Sequence, residues 1–270
     1  MPAETLQIRS IVDLNSLDTS PAVLHKLLEL TQKDDFNIDQ AIRLLMTDPG
    51  LTARIFAICS NAEYGRGNPP ESLREAVIRL GSRELYRLAT GLAMRRLAAQ
   101  PTLHYAADSR YFWHRTVTTA VAMEELCPSD QSSEHAYTIG LMHLVGVWIL
   151  SRQSAPCGEP IECTNLPSMA KVEKLRFGAA YAQIGATALE GWGFSRSICE
   201  AVYWQNEPEL AEEPAHTAKA QLLQSAIRLT EAALGLGGDA ADLFSSRRSL
   251  ELSIARVKTK TNRLISALAT

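Results

Sequence analysis

The chain has 270 residues, 46% of them apolar and 21% charged, which is enough apolar material for one large core or two smaller lobes and gives no sign of overall disorder. Lys and Arg number 27 against 30 Asp and Glu, so no global positive field draws the chain to DNA, RNA or an anionic membrane, and a nucleic-acid role would need a local patch. The opening Met1 to Gln7 lacks a basic segment followed by an apolar run, and every later apolar stretch is interrupted by Arg, His or Glu before it reaches spanning length. No membrane segment and a cytoplasmic location are therefore expected.

In chain order the signals are helical. Ser20 and Pro21 open a short amphipathic helix with Val23, Leu24, Leu27, Leu28 and Leu30 at helical spacing. Asn37 to Gln40 opens the next, through Met46, and Asp48-Pro49 stops it and caps a third over Gly50 to Ser60. Asn61 to Pro70, rich in Gly, Asn and Pro, reads as a loop. Glu71 to Leu80 is helical, Gly81-Ser82 is a break, and Glu84 to Leu97 resumes the pattern. Longer helices are expected over Tyr111 to Leu126, Glu134 to Arg152, Val172 to Gly191, Ser195 to Trp204 and Thr217 to Leu234. Ile139 to Leu150 is apolar nearly all round, which places it at the centre of the second half. Nothing alternates like a strand, so the fold class is all-α. Gly235 to Gly238 follows a helix instead of preceding one and reads as a helix end and loop, not as a phosphate cradle.

Five cysteines, Cys59, Cys127, Cys157, Cys163 and Cys199, are an odd number without a C-x-x-C pair and read as reduced, mostly structural thiols. No Gly-x-Ser-x-Gly elbow or Walker pattern occurs.

Several segments, taken in order, resemble the HDOD domain, the HD-related output domain of bacterial signalling proteins. They are Thr19 to Leu24, Asp48 to Arg54, Ser60 to Gly65, Ser72 to Val77, Leu80-Gly81, Trp113-His114, Gly140 to His143, Gly185-Ala186, Trp192 to Phe194 and Tyr203 to Pro208. Ser60-Asn61 exchanges the Asn-Ser order that family members commonly show. The resemblance covers most of the chain and implies one HDOD-type domain over 1–270, with an N-terminal helical lobe at 10–107 and an HD-like helical lobe at 108–270. It also implies kinship with metal-dependent HD phosphohydrolases, and position by position the metal set is eroded. His114 and His143 stand where two metal-binding histidines would lie, but Leu144 replaces the aspartate of His-Asp. Tyr181, Gln205-Asn206 and Ala226-Ile227 stand at places where such enzymes often carry His, His-His and Ala-Asp. Leucine offers no lone pair, and two neutral imidazoles cannot hold a pair of hard divalent ions.

The candidate site is accordingly a vestigial pocket at His114, His143, Leu144, Tyr181, Gln205 and Asn206, with no cofactor; the bland alternative makes His143 a core histidine satisfied by backbone carbonyls. A second candidate is an anion or partner face of Arg79, Arg83, Arg87, Arg95 and Arg96, set against a solvated face whose arginines pair with Glu75 and Glu84. Trp113, Trp148, Trp192 and Trp204, with Tyr111, Phe112, Tyr181 and Tyr203, read as core or as an aromatic pocket. The first functional expectation is a non-enzymatic signal-transduction module that binds a protein partner. The alternative is a metal-dependent phosphohydrolase acting on nucleotides or cyclic nucleotides, which would need carboxylates such as Asp108, Glu124 or Glu173 to converge on the two histidines.

Overall fold

The computed structural model describes residues 26–30, 36–60, 70–127, 133–153 and 158–269. The start of the helix expected at Ser20, the loop at 61–69 and Cys157 lie outside them. The described residues form eleven α-helices and no strand, apart from one isolated bridge between Tyr105 and Ile161. Residues 26–30 are also helical. The helices are α1 (Ile38–Leu45), α2 (Pro49–Ser60), α3 (Leu73–Ala98), α4 (Ser109–Leu126), α5 (Ser133–Met142), α6 (Val145–Gln153), α7 (Leu166–Phe177), α8 (Tyr181–Gly191), α9 (Arg196–Tyr203), α10 (Pro214–Leu234) and α11 (Arg247–Ala269).

Caps set several of these boundaries. Asn37 accepts the Gln40 N–H at 3.0 Å, Asp48 that of Leu51 at 2.9 Å and Asp108 that of Tyr111 at 2.9 Å, each taking a helix N–H that has no partner within its own helix. Gly81 leaves the helical region at φ 75° and kinks α3 where a break was expected. Two expected helices are each divided. The segment 134–152 breaks at His143-Leu144, where the His143 ring turns back onto the Gly140 carbonyl and Leu144 opens a new turn by accepting from Val147 at 2.9 Å. The segment 172–191 breaks at Gly178, a left-handed C-cap at φ 79°, and its first half begins earlier, at the Asn165 cap and Pro167. The sequence reading did not include α11. Ser253, Val257, Thr261, Leu264 and Leu268 form its buried stripe, and α11 packs on α3, α4 and α10.

One continuous apolar core runs from Leu27 to Leu268. Tyr86 on α3 and Thr138 on α5 share a hydrogen bond of 2.5 Å, and the Tyr137 hydroxyl donates to the Arg87 carbonyl at 3.2 Å, tying the first half of the chain to the second. Two glycines permit the closest crossings. A Cβ on Gly140 would lie 2.6 Å from the Ala120 Cα of α4, and one on Gly146 would lie 2.0 Å from the Tyr181 carbonyl oxygen of α8.

A buried carboxyl joins α7 to α8. Glu173, with no exposed surface, accepts the Tyr105 hydroxyl at 2.7 Å and the Tyr181 N–H at 2.7 Å. Ala180 has no polar side chain to cap α8, so Glu173 and Gln183, which accepts the Ala180 N–H at 2.8 Å, supply the acceptors instead. Burial pushes the Glu173 carboxyl up to about 7, against an ordinary value of 4.5, and the two donated bonds only partly offset it.

Two predictions follow from this packing. Gly146→Ala places a methyl group against backbone and is expected to destabilise the fold by about 1–3 kcal/mol or more in denaturant unfolding; a loss below about 0.5 kcal/mol would contradict the close crossing. Because the folded-state value of Glu173 is raised, its contribution to stability is fully present below the unfolded value and is lost as pH rises through about 7. The stability of Glu173→Gln relative to the unaltered chain should therefore improve between about pH 5 and about pH 8, by up to about 3 kcal/mol. A difference that stays flat would contradict the assignment.

Candidate functional site

His143 lies in the two-residue turn between α5 and α6 and is wholly buried. Its Nδ1 is 2.6 Å from the Gly140 carbonyl oxygen. A carbonyl only accepts, so Nδ1 carries the proton and donates, and Nε2 is left with a lone pair that no protein group meets. Burial drives the ring down to about 3, the Arg115 charge pushes the same way and the Gly140 bond opposes both, so the imidazole is neutral. The core-histidine reading thus holds at one ring nitrogen and fails at the other. Leu144 is fully buried among apolar neighbours.

Gln205, just past the end of α9, reaches the same turn. Its Nε2 donates to the carbonyls of His143 at 3.0 Å and Val202 at 2.8 Å, which fixes the amide orientation and leaves Oε1 buried without a protein partner. The Tyr181 hydroxyl donates to the half-buried Asn206 Oδ1 at 3.1 Å, and burial raises the phenol far above its ordinary range. Two pairs of the expected residues therefore meet, His143 with Gln205 and Tyr181 with Asn206. His114 is half-buried on α4, and no hydrogen bond joins its ring to the others.

The residue that sequence reasoning missed is Arg115. Its side chain is wholly buried and forms an ion pair with Glu231 of α10, while Nη1 donates to the Tyr111 hydroxyl at 2.9 Å. Its signal in the sequence is slight: Arg115 is the one charged residue at the start of a run, Arg115 to Met123, that is buried all round α4. The three carboxylates a metal reading would draw on are committed elsewhere. Asp108 caps α4, Glu124 pairs with Arg87 at 3.2 Å, and Glu173 joins α7 to α8. Among the described residues no three His, Cys, Asp or Glu side chains come together as a metal ion would require. The groups around His143 do not fit a dinuclear centre: they are a neutral imidazole, an amide, a leucine and, close by, a guanidinium.

The arginines do not form one face. Arg79 pairs with Glu75, and Arg96 makes a two-pronged contact with Asp48 at 2.6 and 3.2 Å. Arg87 bridges Glu84 and Glu124 and lies 5.4 Å from the centre of the Tyr137 ring, so it is a tie between α3, α4 and α5. Arg83 is exposed, Arg95 is half-buried, and the Gly81 kink separates Arg79 from the rest. The tryptophans divide: Trp113 and Trp148 are core, whereas Trp192 and Trp204 are half-buried.

The same arrangement of helices occurs in solved structures. A proposed signal transduction protein of Marinobacter aquaeolei VT8 matches 99% of this chain with a TM-score of 0.71 at 19% identity, and this chain spans 66% of that protein's length. An HDOD domain protein of unknown function from Geobacter sulfurreducens matches 98% of this chain over 95% of its own, with a TM-score of 0.66 at 19% identity. A proposed phosphohydrolase of Shewanella amazonensis SB2B matches 99% over 93%, with a TM-score of 0.62 at 24% identity. At these identities the likeness is one of fold. No curated protein matches the sequence. The HDOD domain model matches residues 17–208, most of the chain. The chain belongs to the HDOD domain family.

Proposed function

We propose that the chain is a non-enzymatic module of bacterial signal transduction that acts by binding another protein. The observation that carries this reading is the state of His143: sealed from solvent, uncharged, followed by a core leucine and placed near a guanidinium. A hydrolytic centre needs an open position for substrate and anionic ligands for its metal, and these residues offer neither. Support for signal transduction comes from the family and from the Marinobacter protein of similar fold.

Support for a protein contact comes from the surface. On α7, Leu175 is 89% exposed and Val172 39%; the two are neighbours three residues apart, beside the buried Met169 and Glu173 that hold the helix to the core. Lys171 and Lys174 flank them. Exposed apolar side chains side by side on one helix face suit a partner better than they suit water.

A metal-dependent phosphohydrolase is the second reading, and one observation favours it: the Nε2 lone pair of His143, oriented as in metal-binding histidines by a carbonyl bond at Nδ1. The two readings separate on metal content and turnover. After purification without chelators, elemental analysis is expected to find only traces of manganese, iron and zinc, and bis(p-nitrophenyl) phosphate and cyclic dinucleotides are expected to remain intact when those ions are added. Near-stoichiometric metal that disappears in His143→Ala, or metal-dependent hydrolysis abolished by that change, would overturn the first reading.

A further inference from the structure

Among the buried polar atoms without a protein partner are His143 Nε2, Gln205 Oε1 and Thr116 Oγ1. None of the three residues is more than 1% exposed. Two of the atoms have a fixed role. Nε2 can only accept, because Nδ1 holds the single proton of the neutral ring, and Oε1 can only accept, because the amide nitrogen is spent on two carbonyls. Thr116 reaches them by register. Arg87 touches both Glu124 and the Tyr137 ring, and Gly140 lies against Ala120, so α4 and α5 run antiparallel; the next turn sets Thr116 and Val117 opposite His143 and Leu144.

Paired acceptors in a closed interior call for a donor, since a buried acceptor left unmet costs about 1–3 kcal/mol. The charge already present decides what kind. The Arg115 guanidinium acts on His143, and no carboxylate lies among the three partnerless groups to compensate a second cation, which disfavours a metal ion or an ammonium group. An anion such as phosphate would meet two acceptors there; the buried donors Arg115 Nε, Trp113 Nε1 and Trp148 Nε1 also lack a partner, but the Arg115 charge is already met by Glu231. Full burial excludes anything larger than a few atoms. We propose that His143, Gln205 and Thr116 enclose one bound water molecule, which donates to Nε2 and to Oε1 and accepts from the Thr116 hydroxyl. Three partners are the usual number for a buried water. The site is then a neutral, filled part of the interior, whose polarity is the reverse of what a phosphate ester would need.

The test is a crystal structure of the full chain with anomalous data collected above the manganese, iron and zinc edges. The expected result is a single peak without anomalous signal, about 2.6–3.2 Å from both His143 Nε2 and Gln205 Oε1, and its loss in Gln205→Met, which keeps the side-chain volume and removes the acceptor. An empty site in the unaltered chain would overturn this inference and leave the scaffold reading standing. An anomalous peak on Nε2 would overturn both.

Discussion

The close passage of α5 and α6 between α4 and α8 is the constraint from which the rest follows. With a side chain at Gly140 or Gly146, backbone atoms of Ala120 or Tyr181 would have to move, and interiors at crystal-like density resist such movement. The crossing holds the His143 turn against two neighbouring helices at once. It removes the ring from water, and removal from water makes the ring neutral and leaves its second nitrogen without solvent.

Electrostatics act in the same sense. The Arg115–Glu231 pair joins α4 to α10, and the Tyr111 hydroxyl supplies a further contact to the guanidinium. Buried pairs of this kind add little net stability compared with apolar packing, but a buried charge that loses its partner is costly, so the pair specifies how its two helices meet. Its positive end near His143 discourages any further cation there. Glu173 does the opposite work on the far side of Tyr181, a carboxyl with two donors and no cation, closing the start of α8. The inner helices thus share polar contacts of unlike kinds: Arg115 with Glu231, Tyr181 with Asn206 and Glu173, and Gln205 with the His143 turn.

Much of the fold was legible in the sequence because caps and periodicity are local. Asn37, Asp48 and Asp108 act where their residue types say they should, and Gly81 and Gly235 end helical segments as glycines do. The breaks at His143-Leu144 and Gly178 were hidden for different reasons. The first sits in an unbroken apolar run, where periodicity gives no phase, and its cause is a ring-to-carbonyl bond. The second is a single glycine inside a helical pattern, a signal that ordinarily costs a helix little. The low apolar content of α11 concealed it until the rest of the core was in place. The family resemblance singled out His143, Gln205, Tyr181 and Asn206, which meet in two pairs, but a charged residue such as Arg115 reads as surface in a sequence, and only the partner on α10 shows why it is inside. The arginines differ from the expected face for another reason: spacing by four does not show which carboxylates they meet, and Arg79, Arg87 and Arg96 are paired with Glu75, with Glu84 and Glu124, and with Asp48.

The central claim is that His143 is sealed and neutral, and the direct measurement of it is nitrogen-15 NMR of the labelled histidine ring as a function of pH. The account predicts a proton fixed on Nδ1, a bare Nε2, and a ring that stays mostly neutral in the folded chain down to about pH 4, as expected for a group driven to about 3 against an ordinary 6.5. A ring that titrates near 6.5, or one that carries its proton on Nε2, would contradict it.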